Sequence, residues 1–416
     1  MTKRAVLAGV TAAGLGASLV LAPAVAQAGQ KITKEAFGMH SFSQEPFIGE
    51  SDRPLGSLRM NMWPNWRQLN PAKGQYNWAV MDGTVAQAKS WGYSDLLYVF
   101  GNTPQWAGKN PVKDPSRELE PGNAAPPAKM TYFKNFATKM VKNYGDDIDS
   151  WQVWNEITSP QFWQGSAKQM AKMTKILNQV VNKYDKGGIV VSGSVQTHRM
   201  DYYNAIAPQY FKELKALGWP VDVAAGHFYP TLYGGPDKRI AQIKMFQRDV
   251  KAAKMPKRVD MWDTEANFWT TVGAFKGNPP MGRVKGTKAA TWVARNYLDT
   301  WRTGLKRSYW YMWTVGSQDL AFPGIQMRTD TPWSRVAYSN MYDWTVGAKY
   351  KGDTTKGNLV ECKFTKGGKS FVIAFTTGGK ATAKFSGTKS VTPVYKGGTV
   401  TAKGSTTVGT MPVKIG

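Results

Sequence analysis

Cysteine is almost absent from this sequence. The 416 residues contain one, Cys362, so an internal disulfide framework is excluded. Histidine is nearly as scarce: His40, His198 and His227 are scattered, and with a single thiol they cannot build an ordinary structural zinc site. Acids are few, 28 Asp and Glu against 54 Lys and Arg, for a formal charge of +26. Neither a Gly-rich phosphate loop nor an H-E-x-x-H pair occurs, so nucleotide and zinc-peptidase chemistry have no motif to rest on. Beyond the N-terminus, no run is long and apolar enough to span a bilayer.

The first residues have the pattern of an address label. Lys3 and Arg4 precede an apolar stretch from Ala5 to Ala24, and Ala26-Gln27-Ala28 supplies small residues before Gly29. This predicts a signal peptide over 1–28 that is cleaved, with the protein secreted to the extracellular side. A retained membrane anchor is the alternative, but the Ala- and Gly-rich stretch and its small-x-small exit favour cleavage. Removing 1–28 leaves 52 basic against 28 acidic residues, a charge of +24. Such a charge attracts polyanions. The basic residues are spread along the chain without a helix-turn-helix or RNA-binding signature, so an acidic or cell-envelope glycan is expected ahead of nucleic acid.

Short runs rich in β-branched and aromatic residues alternate with longer segments of helical periodicity, the pattern of a parallel βα architecture. Eight runs are predicted strands: 37–42, 57–62, 95–101, 150–155, 188–194, 223–229, 258–265 and 308–314. Helices are predicted over 78–91, 130–144, 167–184, 202–217, 237–253 and 286–304. Met170, Met173, Ile176, Leu177 and Val180 fall on one helical stripe, which makes those methionines core. Eight strands over about 310 residues suit a (β/α)8 TIM barrel, expected at 31–345. An open doubly wound sheet is the alternative, but its glycine fingerprint is missing.

After Thr345 the texture changes. Gly, Thr and Lys dominate, with short alternating strands such as 370–376 and 381–385. Turns at 366–369, 377–380 and 396–399 are predicted hairpins, giving a small antiparallel, β-sandwich-like domain over 346–416. From Lys351 onward, eleven lysines face only Asp353 and Glu361. They suit either an anionic polymer or protection of sheet edges. Cys362 is expected to be a buried, inert thiol.

In such a barrel the reactive groups sit at the C-terminal ends of the strands. Strand four ends Trp151-Gln152-Val153-Trp154-Asn155-Glu156, and strand seven ends Met261-Trp262-Asp263-Thr264-Glu265. These two strands lie across the barrel mouth, so two glutamates can face one substrate. A lone glutamate at a strand end is most simply a surface acid. The pair is what glycosidic cleavage needs, one acid protonating the departing oxygen and the other answering the charge at the anomeric carbon.

The ordered combination resembles the retaining clan A glycoside hydrolases, most nearly the β-xylosidase-like family thirty-nine group. Asn155-Glu156 and Glu265 carry the likeness, with Leu58-Arg59-Met60, Trp63 and Trp66, the stretch Leu69 to Trp78, Thr103-Pro104-Gln105-Trp106-Ala107, His227-Phe228-Tyr229 and Trp313. The resemblance covers most of 36–345. It implies that Glu156 is the acid/base and Glu265 the nucleophile of a double displacement with net retention. It also implies that Arg59 and Tyr229 lower the pKa of Glu265, and that Asn155 binds the sugar 2-hydroxyl. His227 and His40 would bind substrate or orient neighbours. Trp313 would be the platform under the cleaved sugar, with Trp106, Trp163, Trp66, Tyr233, Trp269 and Trp333 as further aromatic candidates.

Two residues are left with simpler expectations. Asp263 shares the alternation parity of Glu265 and is expected to pair with Arg59 or form a polar core layer. His198 is expected on a surface loop. The reading is therefore a secreted, monomeric glycosidase acting on a polysaccharide without cofactor or metal. The alternatives are a catalytically inactive glycan-binding barrel and a basic cell-surface glycan-binding protein.

Overall fold

A computed structural model describes residues 29, 31–41, 56–60, 63–109, 112–230, 234–268, 270–271, 281–282, 284–313, 324–325, 327 and 332–416. The predicted signal peptide, Tyr233, Trp269 and most of the loop after strand seven lie outside the described residues.

The chain forms a closed, parallel, eight-stranded TIM barrel followed by an antiparallel sheet. The barrel strands are, in order, Phe37–Ser41, Ser57–Met60, Leu96–Val99, Ser150–Gln152, Ile189–Val191, Val223–His227, Asp260–Ala266 and Arg307–Trp313. Each pairs with its neighbours in sequence, strand one with strand eight and strand five with strand six, so no edge is left open. Strand five is interrupted: after Val191 the pairing with strand six resumes at Val195–Gln196. All eight predicted strands are present, though strand four leaves the sheet after Gln152, ahead of the predicted end at Asn155.

Helices Trp78–Ser90, Met130–Tyr144, Ala167–Tyr184, Met200–Ala216, Pro236–Ala252, Gly286–Arg302 and Pro332–Thr345 clothe the barrel. The last of these is an addition to the sequence reading. Ala167–Tyr184 starts where Ser166 and Gln169 satisfy each other's backbone N–H groups in a capping box, a reciprocal arrangement that fixes the first turn. Its buried stripe includes Met170, Met173, Leu177 and Val180. Inside the barrel, Leu97, Val191, Val223, Ala225, Trp262 and Tyr309 pack as a floor beneath the mouth. Tyr309 lies against Gly38 on the neighbouring strand, where an added Cβ would come 2.4 Å from the ring; only glycine leaves room for it.

The C-terminal sheet has six strands: Lys349–Lys356, Leu359–Lys366, Lys369–Thr376, Ala381–Pro393, Val400–Val408 and Val413–Ile415. The short final strand lies between Lys369–Thr376 and Ala381–Pro393. The turn at 377–380 is therefore not the tip of a hairpin, because its flanking strands are held apart by Val413–Ile415. The turns at 366–369 and 396–399 do join paired strands. Phe364, Ile373 and buried Cys362 join the barrel's core, and Phe364 meets Trp301 of helix Gly286–Arg302 at 6.0 Å between ring centroids.

Candidate active site

Glu156 is reached by a turn that no regular strand could make. Its backbone is left-handed, with φ of 40°, a conformation that costs a side-chain-bearing residue about 1–2 kcal/mol. Hydrogen bonds hold it there: Glu156 N–H donates to Ser194 Oγ (2.9 Å), and Ile157 N–H donates to the Ser194 carbonyl (2.9 Å). Ser159 N–H donates to the Glu156 carbonyl (2.8 Å). Ser194 belongs to the break in strand five, so that break positions Glu156. Backbone strain of this kind concentrates where a side chain must be aimed.

Glu265 reaches the mouth through a second irregularity. Asp263 pairs with Ser308 and Ala266 with Trp310, a register shift between strands seven and eight that breaks the period-two alternation. Asp263 consequently faces the helices, where Arg239 Nη2 donates to its Oδ2 at 2.6 Å with both side chains fully buried. The expected pairing of Asp263 with Arg59 does not occur, and Asp263 does not share the orientation of Glu265.

Arg59, fully enclosed on strand two, ties the site together. Its Nη1 donates to Glu265 Oε2 (3.1 Å), Nη2 to Asn155 Oδ1 (2.8 Å) and Nε to Gln152 Oε1 (2.9 Å). Gln152 Nε2 in turn lies 3.3 Å from the Ser192 carbonyl and 3.4 Å from Thr264 Oγ1. Tyr229 donates its hydroxyl to the other Glu265 oxygen, Oε1, at 2.7 Å. Glu265 thus accepts from both sides.

Glu156 faces a different set. His227 Nδ1 lies 2.8 Å from Glu156 Oε1 and 3.9 Å from Glu265 Oε2. The Gln196 side chain also hydrogen-bonds Glu156. His198, expected on a surface loop, is instead half-buried with its ring 5.4 Å from that of Tyr229, close enough to feel the charge of Glu156. In sequence, Gln196 and His198 give no sign of belonging to the site, because their segment has the look of a loop after a finished strand. Its return to the sheet at Val195–Gln196 carries both into the mouth. Gln152, a lone amide inside an aromatic strand run, was the visible trace of the third unassigned member.

Burial dominates the electrostatics. It raises Glu156 above the ordinary carboxylate range, against the opposing pull of nearby His198, the Gln196 hydrogen bond and the charge of Arg59. It also raises Glu265, although His227, Arg59 and Tyr229 pull the other way, with the neighbouring Glu156 adding to the rise. As expected, Arg59 and Tyr229 both act to lower Glu265, but desolvation outweighs them and the group stands raised. Of the two carboxyls, Glu265 has the better support for its anion, an arginine and a phenol in direct contact. Burial drives His227 down to about 3 and His198 to about 4, so both rings are neutral at pH 7.

The remaining predicted residues are distributed as follows. His40 is buried, with Nε2 donating to the Thr264 carbonyl (3.0 Å) and its ring 5.1 Å from Tyr311. Trp313 closes strand eight, nearly buried, with the Arg335 guanidinium 5.0 Å above its ring. Trp106 donates its indole N–H to the Asn70 carbonyl (2.9 Å) and packs on Tyr132. Trp163 is buried against Trp154 at 5.4 Å. Trp66 is fully buried and stacked on Phe136, so it belongs to the core and lines no subsite. Trp333 is exposed.

One ligand atom from each of Glu156, His227 and Glu265 lies within 4.8 Å of the others, a donor set a divalent cation could use. Arg59 already supplies a full positive charge 3.1 Å from Glu265, so a cation there would face electrostatic repulsion. The geometry suits two carboxyls working on one bound molecule better than a metal centre.

The fold is shared with solved glycoside hydrolases. A family 39 glycoside hydrolase from Bacteroides cellulosilyticus WH2 superposes with a TM-score of 0.63 at 16% identity, over 87% of this chain and 75% of that one. A family 30 endoxylanase from Clostridium papyrosolvens C71 gives 0.60 at 16% identity, over 94% and 97%. A family 51 arabinofuranosidase from Xanthomonas axonopodis pv. citri gives 0.59 at 9% identity, over 94% and 98%. No family model and no curated protein sequence matches the chain. At these identities the likeness is one of architecture, and function rests on the site itself.

Proposed function

We propose that the protein is a retaining glycoside hydrolase that cleaves O-glycosyl bonds of a polysaccharide, with Glu265 as nucleophile and Glu156 as acid/base. The observation that carries this reading is the pair of facing carboxylates: an oxygen of Glu156 lies within 4.8 Å of one of Glu265. Retaining glycosidases hold their carboxyls about 5–5.5 Å apart, whereas inverting ones leave about 6.5–9.5 Å for a water. The two environments support the division of labour. Glu265, with Arg59 and Tyr229 on its oxygens, is the one kept ionised. Glu156, raised by burial and beside a neutral His227, is the one that carries a proton at the start.

In the first step Glu265 attacks the anomeric carbon while Glu156 gives its proton to the leaving oxygen, forming a glycosyl ester and releasing the shortened chain. In the second step Glu156, now ionised, takes a proton from water as that water attacks the same carbon, and Glu265 departs as the carboxylate. Asn155 uses its oxygen on Arg59, which leaves its NH2 group for the sugar 2-hydroxyl. His227 and His40, both neutral, serve as positioning residues at the carboxylates and at strand seven. Trp313 is the platform for the cleaved sugar, and Trp106 and Trp163 brace the surrounding loops.

The sequence pattern of 1–28 supports export and cleavage before the mature, monomeric enzyme acts outside the cell, as a barrel over 31–345 and a smaller domain over 346–416. Among the described residues, no helix is long and apolar enough to cross a membrane. The deciding experiment is trapping with a 2-fluoro glycoside. The expected result is a single sugar adduct on the peptide containing Glu265, with turnover abolished in Glu156→Gln and Glu265→Gln. Full turnover in either variant refutes the assignment.

A further inference from the structure

The C-terminal sheet carries far more positive charge than its two acids, Asp353 and Glu361, balance. Cys362–Gly416 contains nine lysines and no aspartate or glutamate. Part of this charge is arrayed on one surface. In the hairpin of Ala381–Pro393 and Val400–Val408, Lys384 lies opposite Ser405 and Lys403 opposite Thr388. A register shift between Lys384 and Thr388, with left-handed Gly387 and Gly404, interrupts the ladder, yet all four side chains lie on the exposed side, opposite buried Ala383, Val391 and Val408. Thr382, Ser390, Thr401 and Thr407 fall on it by the same register, and every one of these positions is exposed. The face holds only hydroxyls and ammonium groups. Edge protection accounts for Lys403 on the outermost strand, but Lys384 lies on the strand inside it.

This face is joined to the rim of the barrel. The hairpin turn rests on helix Pro332–Thr345: Asn340 Nδ2 donates to the Val394 carbonyl at 3.0 Å, and Tyr395 meets Trp333 at 4.9 Å between ring centroids. Trp333 is 38% exposed. Two residues on, the Arg335 guanidinium covers the ring of Trp313 at the end of strand eight. From the barrel rim, exposed Trp333, anchored on buried Tyr395, therefore leads by way of exposed Lys396 onto the lysine and hydroxyl face. From Pro393, three residues before Lys396, to Lys384 the strand spans at most about 30 Å, long enough for several sugar rings.

We propose that this path and the hairpin face bind an acidic polysaccharide strand, extending the substrate surface of the barrel onto the C-terminal sheet. Planar sugar faces stack on the exposed Trp333 indole, carboxylates pair with the ammonium groups, and sugar hydroxyls exchange hydrogen bonds with the Ser and Thr rows. The identity of the polymer as a glycan rests on the glycosidase reading, whereas the binding face does not require turnover.

The test uses full-length Glu156→Gln protein, so hydrolysis plays no part, and measures binding of polygalacturonate by calorimetry against an uncharged dextran and duplex DNA. The expected result is binding of polygalacturonate alone of the two glycans, weakening as salt rises from about 0.05 to 0.5 M. A Lys384→Ser/Lys396→Ser/Lys403→Ser variant should lose about tenfold or more in affinity. A charge-matched variant of exposed lysines on another helix, Lys168→Ser/Lys172→Ser/Lys175→Ser, should lose little. Equal losses in both variants would refute the face in favour of diffuse charge. DNA binding as tight as polygalacturonate binding, lost in the same hairpin variant, would refute the glycan. Loss of turnover on short uncharged glycosides in the hairpin variant would refute the separation of the face from the catalytic centre.

Discussion

Replacing Tyr229 by phenylalanine removes one oxygen atom from a fully enclosed position and little else. That oxygen donates to Glu265 Oε1 at 2.7 Å, and burial, then the charge of Glu265, keeps the phenol protonated far above neutrality, so it is a donor throughout the working range. A hydrogen bond to a charged group contributes about 1.5–3 kcal/mol. The bond favours the ionised form of Glu265, so its loss favours the protonated form and moves the acid limb of the kcat/KM profile to higher pH. On that limb the rate follows the ionised fraction, and the lost energy becomes about a ten- to hundredfold fall. Where Glu265 is fully ionised the deficit is smaller, because the bond weakens anyway as the carboxylate gives up its charge in the transition state. The assay is a pH series of kcat/KM on a chromogenic glycoside, with the melting temperature as a check on folding. A variant that folds normally and loses the same factor at every pH would refute this account of Tyr229.

The other predictions concern neighbouring groups. Asn155→Ala should lower kcat by about 10²-fold on an ordinary glycoside and much less on its 2-deoxy counterpart; equal losses on both would show that Asn155 does not touch the 2-hydroxyl. Burial raises the folded-state pKa of Glu156, so its contribution to stability is fully present below its unfolded pKa and is lost as pH rises through the folded one. Glu156→Gln should therefore melt above the parent protein by a margin that is wider at pH 8 than at pH 4, and calorimetry showing the opposite trend would contradict the assigned burial effect. Arg239→Met leaves Asp263 enclosed without its cation and should cost about 3–5 kcal/mol of unfolding free energy. Denaturant titration is the check, and a loss below about 1 kcal/mol would mean that Asp263 is neutral in the folded protein.

Much of this architecture could be read from residues in order. Runs such as Leu96–Val99 and Val223–His227 are short, apolar and flanked by helical periodicity, so local pattern and buried position agree. Glu156 and Glu265 stood out because each ends such a run, whereas Arg59, Tyr229 and His227 came from the likeness to the clan A pattern. What escaped was set by contacts between distant segments. The register shift between strands seven and eight separates Asp263 from Glu265, and nothing in Trp262-Asp263-Thr264-Glu265 announces it. Strand five breaks and resumes, which turned Gln196 and His198 from apparent loop residues into neighbours of Glu156. The turn at 377–380 has the glycines of a hairpin, yet its strands are parted by Val413–Ile415, a segment more than thirty residues further along. The balance of burial against donors at Glu265 could not be judged before its enclosure was known.

Arg59 has an engineering consequence. Its three nitrogens are divided among strand four's Gln152 and Asn155 and strand seven's Glu265, so neither carboxylate is held independently of the other's scaffold. Loop exchange intended to redirect specificity can be attempted freely around the rim. The ends of strands two, four and seven must be transplanted as a single cassette, because moving any one of them alone leaves a guanidinium with a vacant grip in a place water does not reach.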